Sequence, residues 1–329
     1  MINANKKVTI IVPVYNAECY LKRCLQSLVD QTINAGDTAP YVILLINDGS
    51  TDASQTIIQS FVDDHPSLFI SVSRENRGAA YTRNEGILLC ATPYLMFVDN
   101  DDVVDCDYVG RHLAKIEETK ADIVISGYRR ESDTKILKRV SMTNDAWSKY
   151  RCVAPWAKIF NTRFLRDNNI RFFDNNIGED TVFSLKAYAF AQTIESMEYL
   201  GYVWRFNNES VSNSIQRGLK SECKFDALLD EILAQVTSNK ERELREYFLY
   251  RYVVWYLLFS GKYADRKRFV QVFNHLYSWL ENNSIRAQYG IFSKEIASES
   301  FIDRLAVACF SFLRRHHLEK LFATVYCHG

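Results

Sequence analysis

Two hydrophobic periods divide the chain. From Val8 to about residue 127, short apolar runs rich in β-branched residues alternate with stretches whose apolar positions recur every three or four residues. The run at 8–14 (VTIIVPV) is continuously apolar, as a strand covered on both faces requires, and 41–47 (YVILLIN), 68–73 (LFISVS), 94–98 (YLMFV) and 121–127 (ADIVISG) predict further strands. Between them, Leu21, Cys24, Leu25 and Leu28 predict one helix, and Ile57, Ile58, Phe61 and Val62 a second, capped by Ser50 or Thr51. AAYTRNEGILLC (79–90) predicts a third. Strands alternating with helices over short connections imply βαβ units, hence an α/β fold with a mainly parallel central sheet flanked by helices. From Gly218 onward the chain is free of proline, and Phe225, Leu228, Leu229, Ile232 and Val236 keep helical spacing. The expected organisation is an α/β domain over residues 1–215 and a helical region over 216–329.

Polar clusters close four of the strands: Tyr15 and Asn16; Asn47 and Asp48; Glu75, Asn76 and Arg77; then Asp99, Asn100, Asp101 and Asp102. In an open parallel sheet, ligands bind at the carboxyl ends of the strands. One such cluster is as readily a capped turn; four on one edge make a site. Asp99 and Asp101 are two apart, which on an extended backbone turns both side chains the same way. Two such carboxylates suit a divalent cation that also holds phosphate oxygens. An EF-hand fails, because Val103 and Val104 stand where that loop needs a ligand and a glycine. Asp102 or Asp105 reads as the start of a helix through Val109 and Leu113, with capping the expected role of Asp105 and Asp107. The chain has neither Gly-x-Gly-x-x-Gly nor a Walker loop, which argues against a dinucleotide oxidoreductase and a P-loop NTPase.

Composition narrows the classes further. Hydrophobic residues make up 47% and charged residues 24% of the 329, ordinary for a globular protein, and the formal net charge of zero lacks the basic excess of a nucleic-acid binder. The eight cysteines include no Cys-x-x-Cys pair, which fits reduced structural thiols in a cytosolic protein. The first apolar run is short and broken by Pro13, unlike a signal peptide, and YVVWYLLFS (252–260) falls short of the roughly 20 residues that span a bilayer. The expected location is the cytoplasm, with peripheral contact on the inner face of the membrane.

Taken in order and spacing, IIVPVYNAECYL, INDGSTD, ENRGAAYTRNEGI and FVDNDD resemble the pattern of glycosyltransferase family 2 on a GT-A fold. APWAKIF, NNIGEDTVFSLKA and YVWRFNNESVS extend the resemblance from about Lys7 to Ser212. It implies a Rossmann-like nucleotide-sugar site. Pro13, Tyr15 and Asp48 match positions that hold the base and ribose of a nucleotide, usually uridine. Arg77 and Arg83 lie in the segment lining the donor pocket. Asp99 and Asp101, with Asn100 between them, match the Asp-x-Asp motif, one toward the ribose and the other on a Mn²⁺ or Mg²⁺ that bridges the diphosphate. Asp180 matches the catalytic base, with Glu179 its competitor. Trp156 and Lys158 match a segment beside the sugar pocket, and Arg205 a flexible segment over the leaving diphosphate. Asn47 stands where many relatives have aspartate, and Asn100 where serine or alanine is common.

Those roles suit the chemistry. Departure of a nucleoside diphosphate from an anomeric carbon needs its charge neutralised, and a carboxylate on the opposite face must take the acceptor's proton. The implied activity is a metal-dependent inverting transfer from a UDP-sugar to a saccharide or lipid-linked acceptor in cell-surface polysaccharide synthesis. The same aspartates would also serve a metal-dependent phosphohydrolase or nucleotidyltransferase, or a sugar-nucleotide-binding subunit without catalysis. Near the C-terminus, residues 303–325 pair an apolar face with Arg304, Arg314, Arg315 and Lys320. That face suits packing on the domain or in a homodimer, or contact with an anionic membrane. His316 and His317 point to different sides of a helix and read as solvent or packing residues.

Overall fold

The computed structural model describes residues 6–34, 36–174, 177–207, 218–220 and 224–328. The chain divides into two compact units: Met1–Asn144, Cys152–Asn175 and Glu179–Asn207 in the first, and Asp145–Arg151, Asn176–Gly178 and Asn208–Gly329 in the second. The expected boundary at 215 falls outside the described residues, as do Asn175, Asn176 and the 208–212 end of the last motif.

The first unit is built on a nine-stranded sheet. Its strands are β1 (Val8–Val14), β2 (Tyr41–Asp48), β3 (Phe69–Arg74), β4 (Tyr94–Phe97), β5 (Val103–Val104), β6 (Ile123–Glu131), β7 (Ile136–Val140), β8 (Lys158–Asn161) and β9 (Ile194–Arg205). They run in the order β3-β2-β1-β4-β8-β6-β9-β5, with β7 paired to β6. β1 to β4 are mutually parallel, as their apolar runs imply. Beyond β4 the directions mix, with β8 antiparallel to both its neighbours and β6 parallel to β9. Every residue of β1 and β2 is buried, which is why neither run alternates.

α1 (Leu21–Val29) buries Leu21, Cys24, Leu25 and Leu28. α2 (Ser54–Asp64) buries Ile58 and Phe61. α3 (Ala79–Leu89) lies on β1, where Gly86 makes close approach possible: a Cβ there would stand 2.6 Å from Ile11. The Ser50/Thr51 cap is corrected, since α2 begins after Ala53 with no side-chain cap. Both residues serve Asn16 instead, whose backbone N–H donates to Ser50 Oγ and whose Oδ1 accepts the Thr51 N–H. The helix start at Asp102 or Asp105 is likewise corrected, because Val103–Val104 is a strand and α4 spans Tyr108–Thr119. Asp107 is the N-cap residue of α4, as expected, but neither acid caps it through its side chain: Asp105 accepts two hydrogen bonds from Arg129, and Asp107 one from Arg111. A guanidinium fork outcompetes one helix amide for a carboxylate.

α5 (Thr162–Asp167) and α6 (Glu179–Phe190) complete this unit. Phe97 meets Phe160, Phe172 and Phe183 edge-on, and Phe172 stacks on Phe183 at 4.1 Å. This aromatic knot fixes the end of β4 against α6. After β3 the chain crosses to the other side of β1 to form β4, so the strand order reverses there and the ends of β1 and β4 flank a crevice.

The second unit is helical: α7 (Phe225–Gln235), α8 (Arg242–Gly261), α9 (Arg266–Asn282), α10 (Phe301–Arg315) and α11 (Glu319–Tyr326). Phe225, Leu228, Leu229, Ile232 and Val236 are all buried, as their spacing predicts. Phe273 of α9 meets Phe310 of α10, and Phe310 meets Phe322 of α11. Among the described residues no helix is long and apolar enough to cross a membrane.

Candidate active site

The crevice begins where β1 and β4 part. Asn100 Nδ2 donates to the Pro13 carbonyl at 2.8 Å and ties the two strand ends together. Asn100 is thereby a brace, its amide spent on the fold. Tyr15 projects beyond buried Pro13 with half its surface exposed. Residues 99–102 form a turn closed by the Asp102 N–H to the Asp99 carbonyl, which corrects the extended backbone expected for Asp99 and Asp101. The two carboxylates are still neighbours: burial first, then the Asp99 charge, raises Asp101 above the ordinary carboxylate range. Asp102 anchors the turn from within, accepting from Tyr202 Oη at 2.6 Å and from the Arg205 N–H at 2.8 Å.

Arg83 is the hub of the site. It rises from α3 and is 8% exposed; Nη2 donates to Asp99 at 2.9 Å, while Nη1 donates to Asp180 at 3.1 Å and Glu179 at 3.3 Å. Burial opposes its charge, but Asp180, Asp99 and Glu179 outweigh that and hold its pKa above the ordinary value. Asp180 is also raised, to about 8; burial is the main cause, with Glu179 and Asp99 adding to it and Arg83 opposing. One buried cation thus joins the Asp-x-Asp end of the crevice to the expected base. Sequence reading put Arg83 along the donor pocket and gave no sign of this junction.

At the end of β2, Asp48 is buried and ion-paired with Arg74. Its Oδ1 accepts the Arg77 N–H at 2.8 Å and its Oδ2 the Gly78 N–H at 2.9 Å. The carboxylate therefore shapes the pocket by holding residues 77 and 78. Gly49 makes this packing possible, with φ +74° and the Asn76 nitrogen only 2.7 Å from where a Cβ would stand. Arg77 lays its guanidinium over the exposed ring of Tyr81 at 3.5 Å. Arg74 also pairs with Glu85 at 2.6 Å. The sequence reading missed Arg74, although a cation closing a strand beside an aspartate-ended one was a signal.

Three expectations change. Lys158 is wholly buried and gives its ammonium to the carbonyls of Cys152, Ala154 and Trp156, so no N–H is left for a sugar. A buried ammonium is tolerable only with such partners. Trp156 is equally enclosed, stacked on Tyr202 at 4.5 Å and meeting Tyr128 edge-on, so it stiffens the wall and offers no open face. Arg205 ends β9 with its guanidinium paired to Glu131 and Asp133 of the β6–β7 hairpin, so in this structure it faces those acids.

The donor set can be tested against a divalent cation. Asp99 and Asp101 supply hard oxygens close enough for the charge of one to raise the pKa of the other, which fits Mn²⁺ or Mg²⁺. Among the described residues no three histidine, cysteine, aspartate or glutamate side chains converge as a complete metal cage. Such an ion would take its remaining ligands from water and phosphate, the usual habit of Mg²⁺.

Comparison with known proteins agrees with this arrangement. The model of "Glycosyl transferase family 2" matches residues 9–181. "Glycosyltransferase GlyA" of Streptococcus pneumoniae is 30% identical over 252 residues, covering 70% of this chain and 34% of that protein. "Uncharacterized glycosyltransferase EpsJ" of Bacillus subtilis is 28% identical over 226 residues, 62% of either chain. The chain thus spans between 34% and 62% of the length of these two relatives. Among solved structures, S. aureus TarS residues 1–349 in complex with UDP-GlcNAc superposes with a TM-score of 0.57 at 18% identity, over 94% of this chain and 92% of that one. At that identity the likeness is one of fold, the GT-A type.

Proposed function

The chain belongs to glycosyltransferase family 2, and from that premise we propose that it transfers a sugar from a uridine diphosphate donor to a saccharide or lipid-linked hydroxyl with inversion. The observation that carries this reading is the single guanidinium shared by Asp99, Glu179 and Asp180. It sets a carboxylate suited to a leaving diphosphate's cation at a fixed distance from one suited to an incoming hydroxyl. Displacement opposite the leaving group needs those two functions and no covalent intermediate.

Asp99 and Asp101 would hold the Mn²⁺ or Mg²⁺, whose contribution is to neutralise charge on the departing diphosphate. Tyr15, Arg77 and the loop braced by Asp48 would seat the nucleotide. Asp180, raised to about 8, would take the acceptor's proton at its carboxylate oxygen, since a base titrating near the working pH is the effective one. Glu179 shares Arg83 with it and stands as second carboxylate. The resemblance supports cell-surface polysaccharide assembly as the pathway.

Substituting Asp180→Asn tests the reading. The transfer rate should fall by about a thousandfold, with UDP affinity by calorimetry changing less than about threefold. A variant with the wild-type rate would remove Asp180 as base. Donor breakdown by the wild-type chain at one rate with or without saccharide acceptors would indicate a phosphohydrolase.

A further inference from the structure

α10 is apolar on two opposite faces. Val307 and Phe310 are buried within the second unit, against α9 and α11. Ile302, Leu305, Cys309 and Phe312 are exposed, Ile302 by 77% and Phe312 by 54%. Their spacing of three, four and three residues gathers them into an arc of about 80°, roughly 150° from the buried pair. Phe301, 54% exposed, borders the same arc. This is not the polar outer face of an ordinary surface helix.

The charges of α10 are arranged around that stripe and not on it. Asp303 is bonded to Ser300, Arg304 to the Ile291 carbonyl, and Arg314 by two hydrogen bonds to Glu281. Arg315 alone among its charged side chains is exposed and makes no ion pair among the described residues. His316, His317 and Lys320 follow it, all exposed, and Lys320 is equally free of an ion pair. Leu321 and Val325 of α11, at 64% and 76%, extend the exposed apolar surface beside them. Apart from exposed Glu281, which is paired with Arg314, the exposed charge at this end of the helix is basic. Before its other end stand exposed Lys294 and Glu295, whose charges cancel.

We propose that the exposed stripe of α10 lies on a lipid surface with anionic headgroups, its apolar side chains in the acyl boundary and Arg315 and Lys320 among the headgroups. An apolar face rimmed by cations is the pattern of helices that lie in a membrane interface. A second copy is the poorer occupant on charge: antiparallel, the basic end would meet an end with no net exposed charge, and parallel it would meet itself. This contact does not depend on the catalytic reading.

The test is flotation of the full chain with phosphatidylcholine vesicles, with and without phosphatidylglycerol. Binding should rise with phosphatidylglycerol and weaken when salt is raised. Leu305→Ser with Phe312→Ser should reduce bound protein at least tenfold on either vesicle. Arg315→Glu with Lys320→Glu should abolish the gain from phosphatidylglycerol, about fivefold per basic residue. These residues are on the surface, so melting temperatures should match the parent. Failure of the parent chain to float on any vesicle overturns the proposal. So does equal flotation of the serine variant, or a parent dimer in sedimentation that the serine variant turns to monomer.

Discussion

Two arginines of the first unit face acids in different proportion. At the end of β2, Arg74 meets Asp48 and Glu85, and Asp48 takes two backbone N–H groups besides. At the end of β4, Arg83 meets Asp99, Glu179 and Asp180, and Asp101 stands beside them. The first cluster is settled by protein groups alone and behaves as a brace. The second keeps more carboxylates than its one guanidinium balances, and burial first, with neighbouring carboxylates adding to it, displaces Asp101 and Asp180 upward in pKa. That imbalance is what the proposed reading, a site completed by a cation and a reacting group, accounts for.

The largest way to break the contrast is at Asp101. Asp101→Ala should remove the metal dependence of UDP binding, so that calorimetric affinity with Mn²⁺ falls about a hundredfold to the metal-free value. A variant that keeps the Mn²⁺ response would make the acidic turn another brace. Next, the two arginines should fail differently. Arg83→Gln should cut kcat by about a hundredfold, because Asp180, the proposed base, loses its orienting partner. Arg74→Gln should instead cost about 3 kcal/mol of stability in urea denaturation, because it strands buried Asp48, with kcat of the folded fraction changing severalfold at most. If both variants lose activity alike, the distinction between brace and site is wrong.

Legibility in the sequence followed the same division. The strands β1 to β4 were visible to within a residue because each carries a short apolar run, fully buried in β1 and β2 and partly so in β3. β7 (ILKRV) and β9 (IESMEYLGYVWR) were not read, since β7 is largely exposed and β9 only partly buried, leaving no apolar run. The candidate carboxylates were legible through motif order, which survives when backbone geometry is misread. Their connections were not. Arg83 and Glu179 are 96 positions apart, and only the packing of α3 and α6 on the sheet brings them together. Lys158 shows the opposite failure, a polar residue in a motif that the fold consumes for its own carbonyls.

The last test sharpens the comparison most, because the stability contribution and the rate of the parent should move in opposite directions with pH. Asp180 is held near 8 in the folded chain, against about 4 when unfolded. The folded chain therefore keeps a proton that the unfolded chain releases, so its contribution to stability falls as pH rises from about 4 to about 8 and is flat above. Other acids, such as Asp107 and Glu281, are shifted downward and give the reverse slope at lower pH. The difference between parent and Asp180→Asn isolates the one group: in metal-free buffer, the variant's stability relative to the parent should rise across that window. If Asp180 is the base proposed, the transfer rate of the parent should climb over the upper part of the same window. A base made ready for its proton in this way is one the fold would hold more comfortably if it kept that proton, and a parent and variant with parallel stability profiles would show that Asp180 carries no such tension.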